Sequence, residues 1–105
     1  MPNPKTKGGS ALKEATRISL DEPKMFHVIL HNDDVTTMEF VVRLLTSVFR
    51  KSVPAAQEIM LTVHHKGSAT VGTYTYDVAY TRKAKATLMA NNAGFPLKIT
   101  MEEAN

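Results

Sequence analysis

Phe26, Val28 and Leu30 alternate with His27, Ile29 and His31. That period of two predicts a strand, with Ile29 making its middle apolar on both faces. The run stops at Asn32-Asp33-Asp34, a turn of one amide and two carboxylates. Thr36 has the chemistry of an N-cap, and Glu39 three residues later completes a capping box, so a helix is expected at once. From Thr37 to about Arg50, the residues Met38, Val41, Val42, Leu45, Val48 and Phe49 follow the i, i+3, i+4, i+7 spacing of one helical face. Lys51-Ser52 breaks the pattern. Ser52 or Val53 caps a second helix, and Pro54 suits its first turn, where a missing N–H does no harm.

That second helix is expected from Val53 to His65, with Ala56, Ile59, Met60 and Val63 on its apolar face and Gly67 as its stop. Ser68 to Thr75 reads as a strand, with Ala69, Val71, Thr73 and Thr75 on one face, Tyr74 on the other, and Gly72 marking a bulge or a close approach. A third helix runs from Tyr76 to about Asn91 behind a Thr75 cap, with Val78, Ala79, Ala86, Met89 and Ala90 inward and Arg82, Lys83 and Lys85 outward. Leu97 to Glu102 closes the chain as a strand, Leu97, Ile99 and Met101 alternating with Lys98 and Thr100. The order strand, helix, helix, strand, helix, strand implies an α+β domain with one small sheet and helices on one face.

Residues 1–23 show no such period. Pro2, Pro4, Gly8, Gly9 and Ser10 break any regular pattern, and the segment reads as a flexible tail preceding a domain over residues 24–105. A chain of 105 residues supports one hydrophobic core. Thirteen Lys and Arg against ten Asp and Glu leave it mildly basic, but no stretch gathers five like charges, so a nucleic-acid footprint is weak. Without Cys there is no disulfide and no thiolate metal site, which is compatible with a reducing cytoplasm. No apolar run approaches the roughly 18 residues of a membrane span.

The candidate chemistry gathers at the turn and at the histidines. His27, His31, His64, His65, Asp33 and Asp34 offer nitrogen and oxygen donors, yet there is no HExxH, and a zinc site would have to converge from separate elements. Adjacent carboxylates on a turn do not face each other as a shared-proton dyad must. No nucleophile motif or phosphate-cradling glycine loop is present. No metal or cofactor is expected. The alternatives to a binding module are a small metal-dependent hydrolase using His64, His65 and Asp33, or a basic nucleic-acid binder using Arg82, Lys83 and Lys85.

Four signatures carry a resemblance. Val28-Ile29-Leu30-His31-Asn32-Asp33-Asp34 with Thr36 and Met38-Glu39-Phe40-Val41, then Met60-Leu61-Thr62-Val63-His64-His65-Lys66-Gly67, then Val71-Gly72 with Tyr74-Thr75-Tyr76-Asp77-Val78-Ala79, then Pro96-Leu97 and Thr100-Met101-Glu102 resemble ClpS, the adaptor of bacterial Clp proteases. The resemblance runs from Met25 to about Glu103. It implies a three-stranded antiparallel sheet packed on three helices, as in the C-terminal domain of the ribosomal stalk protein. It implies a cytoplasmic, monomeric adaptor that is not an enzyme. Such a protein binds N-degrons, the free N-termini of proteins beginning with Phe, Tyr, Trp or Leu, and delivers them to the AAA+ unfoldase ClpA for degradation by ClpP.

In that reading Asn32, Asp33 and His64 accept the ammonium's hydrogen bonds, charge-assisted contacts worth roughly 1.5–3 kcal/mol each. Met38, Val41, Met60, Val63 and Leu97 line the slot for the first side chain, while Asp34 and Thr36 support the peptide. Asp77, Tyr80 and Arg82 lie on the face the family uses to dock on the unfoldase, and all three depart from its usual residues. Val35 stands where the family has an aromatic residue and Thr37 where it has proline, which implies a less rigid helix start.

Overall fold

A computed structural model describes residues 23–105; the expected tail, up to Glu22, lies outside the described residues. The chain forms β1 (Met25–His31), α1 (Met38–Ser47), α2 (Val53–Lys66), β2 (Ser68–Thr75), α3 (Tyr76–Asn92) and β3 (Lys98–Ala104). The three strands make one antiparallel sheet in the order β2-β1-β3, so the first strand lies in the centre. Its pattern suits that place. Val28 and Leu30 are fully buried on the helix side, and Ile29 is half-buried on the other.

The helices cover one face. α3 touches all three strands, α2 touches β2, and α1 packs on α2. Ala79, Ala86 and Ala90 are fully buried on α3, and these small side chains let the helix lie close to the sheet. Phe40, Val41, Leu44 and Leu45 of α1 join Phe49, Ala56 and Val63 in the same core. Phe40 meets Phe95 at 4.9 Å between ring centroids, which fastens α1 to the segment leading into β3.

Several expectations need correction. Thr37, not Thr36, is the N-cap of α1: its hydroxyl accepts the Phe40 N–H at 3.2 Å. Residue N3 is then Phe40, so Glu39 completes no capping box, although its charge still suits the first turn. A hydroxyl cap thus stands where the resemblance implies a proline. Val78 is 40% exposed rather than core, because it lies about 100° around the helix from Ala79.

The faces of β2 are also rearranged. The register slips between Val28 and Ile29, which pair with Gly72 and Thr70, leaving Val71 as an extra, bulged residue. Beyond the bulge Tyr74 shares the core side with Phe26, while Thr73 and Thr75 face outward. Gly72 lies under the Tyr74 ring, where a Cβ would come within 2.7 Å of Cζ.

Candidate functional site

The strand β1 ends beside the end of α2. The Asn32 N–H donates to the Gly67 carbonyl at 2.8 Å, the first contact of the turn after β1. Gly67 terminates α2 in the left-handed conformation, φ 94°, with its own N–H on the Val63 carbonyl at 2.9 Å. This clasp brings Asn32 and His64 to one place, though they are thirty-two residues apart in sequence.

Asp33 then folds the turn. Its Oδ1 accepts the N–H of Val35 at 2.8 Å and of Thr36 at 2.7 Å, and its Oδ2 accepts the Thr36 hydroxyl at 2.7 Å. Burial pushes the Asp33 carboxyl up, but the Thr36 backbone, the Thr36 hydroxyl and the Val35 backbone together outweigh it, so its pKa is held below the ordinary aspartate value. The group is therefore a fixed anion. A carboxylate offers about four acceptor positions, so with three taken a vacant one remains for a ligand. Thr36 serves this turn rather than the helix.

The turn, the start of α1 and the last turns of α2 enclose a cleft of ≈ 370 Å³. Its polar lining includes Asn32, Asp33, Asp34, Thr36 and His64, and its apolar lining includes Met38, Val41, Met60 and Val63. Of the pocket residues expected from sequence, Leu97 is the exception. It is buried in the core, on the same inward side as Ile99, and does not line the cleft. Val35 and Thr37 line the cleft too and were not expected there. Their positions inside the acidic turn and at the helix cap are the signal that could have marked them.

A second, shallower hollow of ≈ 310 Å³ shares Met38 and Met60 with the cleft and adds Glu39, Val42 and Gln57. Met38 is 43% exposed, a flexible thioether standing between the two spaces. The His64 ring meets His65 edge-on at 5.2 Å between centroids. His27 and His31 are not in the cleft. They lie on the open face of the sheet, bonded to Thr73 and Thr100, each at 2.8 Å. Among the described residues no three His, Asp or Glu side chains converge as a metal site would require.

The remaining expected residues lie on α3. Asp77 and Tyr80 are exposed, and the Tyr80 ring stacks on Tyr76 at 6.2 Å. Arg82 is half-buried: its guanidinium donates to the Val48 carbonyl at 3.3 Å and lies 5.5 Å from the Tyr74 ring centroid.

The chain as a whole has relatives among known proteins. The family model described as "ATP-dependent Clp protease adaptor protein ClpS" matches residues 21–100. The chain belongs to the ClpS family. It is 50% identical over 101 residues to the ClpS adaptor of Desulfatibacillum aliphaticivorans, covering 96% of each chain. It is 52% identical over 82 residues to that of Nitratidesulfovibrio vulgaris strain Miyazaki F, covering 78% of this chain and 82% of the relative. The solved structure of Agrobacterium tumefaciens ClpS2 bound to L-phenylalaninamide superimposes with a TM-score of 0.77 at 42% identity, covering 79% of this chain and all of the other. ClpS proteins are adaptors of the Clp protease rather than enzymes, which displaces the hydrolase built on His64, His65 and Asp33. Among the described residues no helix is long and apolar enough to cross a membrane.

Proposed function

We propose that the cleft binds the free N-terminus of substrate proteins whose first residue is Phe, Tyr, Trp or Leu. The observation that carries this reading is the joint lining of one cleft by Asn32, Asp33 and His64 with Met38, Val41, Met60 and Val63. An α-ammonium has three N–H donors and needs acceptors in fixed directions. The vacant position on Asp33, the Asn32 amide oxygen and a His64 ring nitrogen supply them. The first side chain enters the apolar part, where burial contributes about 1.5–3 kcal/mol. L-phenylalaninamide, the ligand of the Agrobacterium relative, carries both of these groups. Asp34 and Thr36 shape the turn that presents Asp33.

The adaptor then delivers its cargo to the unfoldase ClpA for degradation by ClpP, docking as a monomer through Asp77, Tyr80 and Arg82. Arg82 is held by Val48 and Tyr74, so Asp77 and Tyr80 are the freer of the three to meet a partner. The test of the recognition step is a titration with short peptides that differ only in their first residue. Phe, Tyr, Trp and Leu peptides are expected to bind and Ser, Lys and Glu peptides are not; binding indifferent to the first residue would overturn it.

A further inference from the structure

The end of α1 meets α3 around a cleft of ≈ 190 Å³ lined by Ser47, Val48, Arg50, Thr81, Arg82 and Lys85. Three of those six residues are cationic and none is acidic. Among the described residues none of the three cations makes an ion pair. Arg82 donates to the Val48 carbonyl at the end of α1 and also lies over the Tyr74 ring. Arg50 and Lys85 are left with exposed charges and no such task.

Arg50 carries a second, independent observation. At φ 57° it is the one non-glycine residue with positive φ among the described residues. The Lys51 N–H closes this loop on the Leu45 carbonyl at 3.1 Å. Glycine would adopt that conformation without steric cost, so an arginine there is held against its backbone preference. The Ser47 hydroxyl donates to the Arg43 carbonyl at 2.7 Å and lies 3.7 Å from the Met89 sulfur, whereas Thr81 brings a second hydroxyl to the rim.

We propose that this cleft is a binding site for a compact, multiply charged oxyanion of the phosphate class. Arg82 is preset, Arg50 and Lys85 close from either side, and Thr81 donates. The space equals roughly six water molecules at their share of the liquid, enough for one phosphate group with some water and too little for a nucleotide base as well. The site is separate from the N-terminus cleft, and its failure would leave that reading untouched.

The test is a titration of the full chain with sodium pyrophosphate at constant ionic strength held by sodium chloride, read by amide NMR. Saturable shifts confined to residues 47–51 and 81–85 are expected. Lys85→Gln and Arg50→Gly are each expected to weaken binding roughly tenfold, as loss of one charge-assisted contact implies. Arg50→Gly is also expected to melt at a higher temperature in chloride alone, and neither variant should change affinity for a Phe-starting peptide. Parallel titrations with inorganic phosphate and O-phosphoserine separate a free anion from a phosphate carried on a side chain. Shifts that rise without saturating, or wild-type binding in both variants, would overturn the proposal.

Discussion

The Asn32 N–H donates to the Gly67 carbonyl at 2.8 Å, and this bond joins the end of the central strand to the end of the second helix. The bond brings the two polar walls of the cleft together. Asn32 and Asp33 follow directly on the strand side, and His64 sits one turn back on the helix side. Gly67 holds its end through φ 94°, and a Cβ there would meet nothing within 4 Å.

Gly67→Ala therefore tests the clasp through backbone conformation alone. A left-handed alanine costs roughly 1–2 kcal/mol, which in a domain of this size lowers the melting temperature by several degrees. Peptide affinity is expected to fall as well, because the helix end that carries His64 relaxes. Unchanged affinity in a destabilised Gly67→Ala protein would separate the clasp from the site.

Asp33 has two roles that two substitutions can divide. Asp33→Asn keeps an oxygen for the Val35 and Thr36 N–H groups but removes the charge. It is expected to stay folded and lose at least tenfold in peptide affinity. Asp33→Ala also opens the turn and is expected to lose about 1–2 kcal/mol of stability. Calorimetry with parallel denaturant melts would show both.

The same group sets a pH dependence. Its folded pKa lies below the ordinary aspartate value, so ionised Asp33 stabilises the fold fully above its unfolded pKa of about 3.9. That contribution fades as pH falls from there through the folded pKa. Melts between pH 2 and 5 should show a steeper acid loss in the wild type than in Asp33→Asn. Parallel curves would mean that the turn hydrogen bonds leave its ionisation unaltered.

Met38 is expected to set the shape of the slot. Phe, Tyr, Trp and Leu are unbranched at Cβ, whereas Val and Ile carry a second branch where χ1 is stiff. A clash there with the Met38 thioether costs typically about 1–3 kcal/mol. Met38→Ala should admit Val and Ile peptides while retaining Phe and Leu. A folded Met38→Ala protein that still rejects them would return Met38 to a packing role.

The element order and the strand Ser68–Thr75 were legible because each rests on local period and capping chemistry, whereas periodicity alone makes Met38, Val41, Met60 and Val63 core and only the family resemblance pointed to them as a pocket lining. What the sequence hid depended on tertiary choices. Thr36 and Thr37 are chemically equivalent caps, and only the pull of Asp33 on Thr36 leaves Thr37 to start α1. The bulge at Val71 turns over the rest of β2, which alternation alone cannot register. Leu97 is a pocket wall in the family resemblance, but its alternation with Ile99 directs it into the core. The φ of Arg50 carries no sequence signal, since arginine there looks like an ordinary solvated end of a helix.

Recognition of a charged N-terminus together with its first side chain is the role proposed for the cleft. The most direct measurement compares one Phe-starting peptide with its N-acetylated twin by isothermal titration at neutral pH. Acetylation removes the ammonium and two of its donors while keeping the ring, and leaves the anionic Asp33 without its partner. The free peptide is expected to bind, and the acetylated one to show no measurable heat at the same concentrations. Equal affinities for the two would contradict it.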